Sequence, residues 1–193
     1  MLTAVFKSWA RRVAEPIALA LGSLGITPNI LTVVGFVLAL GVAAVLWLGH
    51  LNVGGLLILI VSAFDLLDGS LARATKQVTR FGAFLDSTLD RYSEAAIFVG
   101  LLAFFAGQSD QLGSVLTIVA LVGSFMVSYT RARAEGLGLS CEVGLLARPE
   151  RIIILGLGLI LGLAVPALAI VAALANFTAA QRVAAVWEAT KQQ

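Results

Sequence analysis

Long apolar segments recur along this chain, separated by short polar stretches. Several are about twenty residues long, the length that a helix needs to cross the hydrocarbon core of a membrane. Only 12% of the 193 residues are charged and 60% are hydrophobic, whereas about a quarter of the residues of a soluble domain are charged. These features predict an all-α integral membrane protein.

We expect one domain over residues 1–193, in which residues 26–190 form a bundle of six transmembrane helices. The chain is expected to turn at Pro166, between the last two helices; if this proline only kinks one long helix, the count falls to five. The expected spans are Ile30–Leu48, Gly54–Arg73, Phe81–Phe105, Gly113–Arg131, Glu150–Ala164 and Pro166–Val186.

The first 25 residues have a different pattern. Phe6, Trp9 and Val13 share one face at helical spacing, and basic residues lie elsewhere. This arrangement predicts an amphipathic helix that lies along the membrane interface. A signal peptide is the alternative, but no convincing cleavage site follows and Pro16 interrupts the apolar run.

Basic residues are distributed unevenly between the expected loops. With six spans, the loops around 50–53, 107–112 and Pro166 share one membrane face that receives no Lys or Arg. By the positive-inside rule, the opposite face is cytoplasmic and carries both termini. Five spans would place Arg182 and Lys191 outside, so the asymmetry favours six. The single cysteine, Cys141, excludes an intramolecular disulfide.

Four aspartates interrupt the second and third spans: Asp65, Asp68, Asp86 and Asp90. Each pair falls on one helical stripe, and the stripe of the third span continues to Glu94. Because a short loop makes these spans antiparallel neighbours, we expect the four carboxylates to converge near the cytoplasmic side. Carboxylates are costly in hydrocarbon and normally mark function, although ion pairs with basic residues as structural links are the alternative.

Such a cluster of like charges requires a cation. Its donors are all oxygens, without His or Cys, which favours magnesium or manganese, or else calcium, over zinc. Magnesium held by carboxylates usually keeps positions for substrate phosphates, so we predict a phosphoryl-transfer centre. Gly69 and Gly82, one on each stripe, indicate close approach of a ligand; helix packing through small residues is the alternative.

The residues of both stripes form one longer pattern, D-x2-D-G-x2-A-R-x8-G-x3-D-x3-D, which runs from Asp65 to Asp90 without a departure. This pattern resembles the signature of the CDP-alcohol phosphatidyltransferases, and the resemblance covers most of the chain. It implies a transfer of a phosphatidyl group from a CDP-linked lipid to an alcohol with release of CMP. It also implies a homodimer in the membrane, and no partner of nucleic acid is expected.

The resemblance implies a role for each residue of the motif. Two divalent ions, Mg²⁺ or Mn²⁺, would bridge the pyrophosphate of the donor, held by Asp65, Asp68, Asp86 and Asp90. Asp90 would also act as the general base that takes the proton of the acceptor hydroxyl. The donor nucleotide would be bound by the other members, which are Gly69, Ala72, Arg73 and Gly82.

Three residues near the motif have less specific patterns. Pro28 and Asn29 resemble a segment that contacts the nucleotide, although Thr27 as N-cap and Pro28 at the first helical position equally predict a helix start. Thr79 lies in the loop between the stripes, where it either contacts a phosphate or is a surface residue.

The acceptor must be inferred from residues outside the motif. The polar ends of the fourth and fifth spans carry only arginines among their basic residues: Arg131, Arg133, Arg148 and Arg151. Because a guanidinium group binds phosphate through two parallel hydrogen bonds, they predict a phosphorylated acceptor. Positive-inside topology with attraction to anionic lipid is the alternative.

These segments resemble the branch of the family that uses inositol phosphate. Glycerol 3-phosphate is the alternative acceptor, because it also carries a phosphate. A cation transporter that uses the aspartates as an ion site is a third hypothesis, although the inverted repeats and broken helices of transporters are missing from the sequence.

Overall fold

The structure is a computed structural model that describes Pro16 and residues 18–191. The described part is helical, with no strand, and residues 18–23 form a helical turn ahead of the first long helix. Seven helices follow: α1 Pro28–Trp47, α2 Leu51–Phe64, α3 Leu66–Ala74, α4 Arg80–Gly107, α5 Gln111–Glu135, α6 Arg148–Ile160 and α7 Ala164–Thr190. Most of the expected interfacial helix at 1–25 lies outside the described residues.

Four helical segments are long and apolar enough to cross a membrane: Pro28–Trp47, Leu51–Ala74, Gln111–Glu135 and Ala164–Thr190. They are α1, α2 together with α3, α5 and α7. The prediction of an all-α protein with membrane-spanning helices is therefore confirmed. Two further helices are not among these four. One is α4, which has 28 residues and carries the second acidic stripe, and the other is α6, which has only 13.

The second predicted span is divided at its first aspartate. α2 ends at Phe64 and α3 begins at Leu66, with Asp65 between them at φ −58° and ψ −19°. Its N–H group still donates to the Val61 carbonyl at 3.0 Å, so the helix axis continues through the division. Asp65 therefore lies at a defined junction between an apolar helix and a polar one.

The apolar core lies between the long helices. The main packed pairs join α5 to α7, α1 to α4 and α2 to α6, and small residues let some of them approach closely. Gly100 on α4 contacts the backbone of Ala43 on α1, and Gly55 on α2 contacts the backbone of Gly156 on α6, so a side chain at either glycine would clash. This packing fixes α4 and α6 on either side of the α1–α2 pair.

The two acidic helices both pack against α1. α3 and α4 are absent from the main packed pairs of the described helices, and both instead contact α1. The apolar face of α4 packs closely against the small residues of α1, and α3 also packs on α1. The acidic stripes therefore face each other across a cleft beside α1.

The chain does not turn at Pro166 between the last two helices. It turns at residues 161–163, where Gly162 has φ +72° and the Leu163 N–H donates to the Gly158 carbonyl at 2.7 Å. Glycine adopts this left-handed conformation without the steric cost of a side chain. Pro166 lies in the first turn of α7, where a helix needs no N–H donor.

The segment that joins α5 to α6 is held against α7. The hydroxyl oxygen of Thr178 accepts a hydrogen bond from the Leu146 N–H at 3.1 Å, and Arg182 donates to the carbonyls of Val143 and Val127. Gly144 in this segment has φ +132° and its Cα faces the Thr178 methyl group. These contacts fix the start of α6 and so position the first residue of that helix, Arg148.

Candidate active site

The cleft beside α1 holds all four aspartates of the motif. Asp65 lies at the α2–α3 junction, Asp68 in the first turn of α3, and the other two on α4. Asp86 lies close enough to Asp65, Asp68 and Asp90 for their negative charges to act on it. The two acidic stripes therefore lie near one another beside α1.

One arginine joins the two sides of the cleft. Arg148 Nη2 lies 2.9 Å from Asp65 Oδ2, and its Nη1 lies 2.7 Å from Asp90 Oδ2. The sequence predicts Arg148 as a ligand of an acceptor phosphate, and the structure places it directly on the carboxylates. A single guanidinium thus offsets the charge of two aspartates, one from each stripe.

Helix α1 contributes two residues that the sequence analysis missed. The Thr32 hydroxyl donates to Asp68 Oδ2 at 2.7 Å, and Asp68 is only 7% exposed. Gly35, one turn further, faces Asp65: a Cβ atom there would lie 2.7 Å from Asp65 Oδ1. The signal available in the sequence was a threonine and a glycine three residues apart on one face of an otherwise apolar helix.

A buried ion pair lies one helical turn beyond Asp90. Arg151 donates to Glu94 through Nε at 2.9 Å and through Nη2 at 3.1 Å, and the two side chains are almost completely buried. Glu94 continues the acidic stripe of α4 and had no predicted role. The sequence predicts Arg151 as a phosphate ligand, and the structure gives it this internal partner.

A cavity connects the ion pair with the aspartate cleft. Its polar lining consists of Asp65, Arg148, Glu94, Arg151 and two serines, and its remaining walls are apolar. Two buried guanidinium nitrogens of these residues, Arg148 Nε and Arg151 Nη1, have no hydrogen-bond partner among the described residues. A buried donor without a partner costs free energy, so both guanidinium groups keep a hydrogen-bonding capacity that their protein partners do not use.

The chemistry of the cleft fits a hard divalent cation. Its donors are carboxylate oxygens, which magnesium and manganese prefer, and Arg148 shows that a positive group can approach two of them at once. Within the described residues, no three acidic, His or Cys side chains are already grouped at distances that one metal ion requires.

The predicted nucleotide-binding residues lie around the outer part of the cleft. Gly69, Ala72 and Arg73 are on α3, and the exposed Arg73 donates to the Ser70 hydroxyl at 3.4 Å. Asn29 at the start of α1 lies beside Gly82, where a Cβ atom would be 3.2 Å from Asn29 Oδ1. The starts of α1 and α4 therefore come together near the motif.

Two threonines of this region act as helix caps. Thr79 accepts a hydrogen bond from the Gly82 N–H at 2.9 Å and is the N-cap of α4. Thr27 is the N-cap of α1 with Pro28 at the first helical position, as the helix-start interpretation predicts. These caps fix where the two helices begin.

The other two predicted phosphate ligands lie at the end of α5. Arg131 pairs with Glu135 at 2.8 Å on the exposed surface, and Arg133 is exposed in the last turn. The structure records no ion pair or hydrogen bond between either arginine and the four aspartates. Of the four predicted phosphate ligands, Arg148 contacts the aspartates and Arg151 contacts Glu94 behind them.

Known proteins share both the sequence and this architecture. Residues 25–189 match the CDP-alcohol phosphatidyltransferase family. The archaetidylinositol phosphate synthase of Pyrococcus horikoshii is 40% identical over 179 residues, 92% of this chain and 91% of that protein. The phosphatidylinositol phosphate synthase of Mycobacteroides abscessus is 41% identical over 152 residues, 77% of this chain and 69% of that protein.

Solved structures agree with these matches. The phosphatidylinositol phosphate synthase of Mycobacterium tuberculosis with CDP-DAG bound superposes with a TM-score of 0.85 at 34% identity, covering 91% of this chain and 94% of that one. The same enzyme in complex with manganese and citrate also gives a TM-score of 0.85, at 35% identity over 90% of this chain and 88% of that one.

The fold and the site define a membrane-embedded transferase with an acidic centre. The chain belongs to the CDP-alcohol phosphatidyltransferase family. It is therefore an enzyme, and the hypothesis of a cation transporter is not supported.

The contact between α1 and Asp65 leads to a test by substitution. We expect Gly35→Ala to lower transferase activity about tenfold or more, because the added methyl group displaces the Asp65 carboxylate from the cleft. CMP release from CDP-diacylglycerol measures the effect. Gly41→Ala is the matched control, since Gly41 lies on the same helix with no atom near its missing Cβ. Equal losses in both variants would show that Gly35 matters only for α1 itself.

Proposed function

We propose that this enzyme transfers a phosphatidyl group from a CDP-linked lipid, CDP-diacylglycerol or an ether analogue, to a hydroxyl of inositol phosphate and releases CMP. The observation that carries the acceptor assignment is the pair of buried N–H groups of Arg148 and Arg151 that face no partner among the described residues. Arg148 and Arg151 both line a cavity that also includes Asp65 of the motif. A phosphate of the acceptor accepts from both groups there.

The donor lies on the other side of the cleft. Arg73 binds a donor phosphate, and the small residues Gly69 and Ala72 leave room for the cytidine on α3. Pro28, Asn29, Thr79 and Gly82 belong to the same donor site, supported by the contact between Asn29 and Gly82. The lipid tails remain in the bilayer beside the helices, while the water-soluble acceptor enters from the aqueous side.

A metal completes this site. Magnesium or manganese, as two ions, would be held by the carboxylates of Asp65, Asp68, Asp86 and Asp90, and a related enzyme was solved in complex with manganese. When bound, the ions neutralise phosphate charge and stabilise the entering and leaving oxygens of an in-line displacement. Thr32 orients Asp68 for this role through its hydrogen bond.

Asp90 acts as the general base. Its carboxylate accepts the proton of the acceptor hydroxyl as that oxygen forms a bond to the lipid-side phosphorus. The bond between this phosphorus and the oxygen of CMP breaks, and CMP leaves with the electron pair. Arg148 contacts Asp90 and lines the acceptor cavity, so it holds the acceptor phosphate close to the base.

The acceptor roles of Arg131 and Arg133 stay predictions, because no contact places them at the cavity. The support for a phosphorylated acceptor therefore rests on Arg148 and Arg151. Glycerol 3-phosphate carries the same recognised group, so the two acceptors must be separated by experiment.

The enzyme is arranged as a bundle of six spans with the active site and both termini in the cytoplasm. Support comes from α4, whose 28 residues are long enough to cross a membrane, and from the basic residues Arg73, Lys76 and Arg80 around the loop that joins α3 to α4. The loop at 108–110, between α4 and α5, lies on the opposite face of the membrane and carries no Lys or Arg. Assembly as a homodimer stays a prediction from the family resemblance.

The acceptor is tested with purified protein in detergent, CDP-diacylglycerol and magnesium. We expect CMP release with inositol 1-phosphate and much less with inositol, glycerol 3-phosphate or serine. Arg148→Ala and Arg151→Ala are each expected to weaken use of the acceptor by about 2 kcal/mol or more, because a charge-assisted hydrogen bond to phosphate is lost. Lys191→Ala, which removes an exposed charge near the C-terminus, is the control.

Two other outcomes of this assay would contradict either the acceptor or the whole reaction. Release only with glycerol 3-phosphate would keep the chemistry and change the acceptor. If no CMP were released with any of the four acceptors, the proposed reaction would be contradicted.

The base is tested separately. Asp90→Asn is expected to reduce turnover by about 10²- to 10⁴-fold while CDP-lipid binding stays near that of the wild type, because an amide cannot take the proton. Asp65→Asn is expected to weaken metal-dependent CDP-lipid binding as well. Binding by equilibrium dialysis and turnover by CMP release distinguish the two. Equal turnover in Asp90→Asn and wild type would remove Asp90 from the role of base.

The orientation is tested with reporter fusions. A fluorescent protein fused after Gln193 is expected to fluoresce, and alkaline phosphatase at the same position is expected to be inactive, because that enzyme requires export. Alkaline phosphatase fused after Gln108, in the loop between α4 and α5, is the matched control and is expected to be active. The opposite result at both positions would reverse the proposed orientation.

A further inference from the structure

Glu94 is a buried acid that the proposed chemistry leaves without a role. It lies one helical turn after Asp90 on the same face of α4, and it is 8% exposed. Both of its carboxylate oxygens bind Arg151, which is 3% exposed. The pair therefore lies inside the bundle, behind the aspartate cleft.

The stability of the fold is a poor explanation for this pair. Removing two charges from water costs several kcal/mol, and well-packed apolar residues of similar volume often stabilise a protein as well or better. Neighbouring residues of the cavity wall, such as Ile97 and Ile152, show that this depth accepts aliphatic side chains. Unlike an aliphatic residue, a carboxylate holds the Arg151 guanidinium in a fixed orientation.

The geometry of the pair sets that orientation. Arg151 uses Nε and Nη2 on Glu94, so the plane of the guanidinium is fixed by two parallel hydrogen bonds. The third nitrogen, Nη1, is buried and has no partner among the described residues. Arg151 lines the same cavity as Arg148, whose Nε is also buried without a partner there.

We infer that Glu94 is a positioning residue for the acceptor: it holds Arg151 so that Nη1 is directed to the acceptor phosphate in the cavity beside Asp65. Glu94 itself touches neither substrate. The inference rests on the proposed function, because it takes a phosphorylated acceptor as the ligand of this cavity. It adds that the acidic stripe of α4 serves two groups of the acceptor, with Asp90 at the reacting hydroxyl and Glu94 behind the arginine that binds the phosphate.

Glu94→Gln tests the inference. The amide keeps the volume but offers one acceptor oxygen in place of two, so the guanidinium loses its fixed plane. We expect the KM for inositol 1-phosphate to rise about tenfold or more, while the KM for CDP-diacylglycerol stays within about twofold. Glu94→Asp keeps the charge at a shorter reach and is expected to restore part of the acceptor affinity. Glu188→Gln, at an exposed ion pair, is the control.

A double-mutant cycle shows whether Glu94 acts through Arg151. If it does, Glu94→Gln has no further effect on the acceptor KM in an Arg151→Met background, because the group that it orients is already gone. The double variant carries no unpaired buried charge, and its thermal unfolding in detergent is compared with that of the wild type. Additive effects on the acceptor KM would overturn the inference.

The other possible results separate the role of Glu94 from the proposed function. An unchanged acceptor KM in Glu94→Gln, or equal rises in both KM values with a lower unfolding temperature, would leave Glu94 a structural residue and overturn the inference. If Glu94→Gln does not fold, the same comparison is made with Glu94→Asp, which keeps the pair charged. An inactive wild type with every phosphorylated acceptor would contradict the proposed function itself, whereas an active wild type with an unchanged Glu94→Gln would overturn only the role of Glu94.

Discussion

Arg148 bridges Asp65 and Asp90, and this interaction connects the parts of the structure on which the site depends. Carboxylates at this depth repel one another unless a cation lies between them. Asp65 is positioned by the junction of α2 and α3, Asp90 by α4, and Arg148 by the first turn of α6. The bridge therefore forms only when three separate elements are in place, and it joins the two acidic stripes of the motif.

Packing far from the cleft produces this meeting point. Glycines on α2 and α4 allow close backbone approach to α6 and α1, so the helices that carry the charged residues are fixed by apolar contacts. The segment before α6 is held on α7 through Thr178 and Arg182. An enzyme that positions phosphates gains most of its rate from such fixed geometry, which is why rigid helices rather than loops carry the reacting groups.

The sequence and the structure agree best where one motif fixes many residues. The spacing from Asp65 to Asp90 predicted the acidic centre, and Thr27 with Pro28 predicted the start of α1. The turn at residues 161–163 was placed at Pro166 instead, because proline also fits the first turn of a helix and Gly162 is one of many glycines. Thr32, Gly35 and Glu94 were missed or left without a role, since each acts on a residue distant in sequence.

Apolar segments of membrane-spanning length and a fixed pattern of acidic residues determined by themselves that this chain is a helical membrane protein with an acidic centre, and the family followed from the resemblance of that pattern to a known motif. Both are local properties, because hydrophobic length and helical spacing depend on neighbouring residues. Only the tertiary structure decided which arginine reaches the aspartates: Arg148 does, whereas Arg151 pairs with Glu94 inside the bundle and Arg131 pairs with Glu135 at the surface. All four arginines satisfy the same sequence pattern, and only the packing of α6 against α2 separates them.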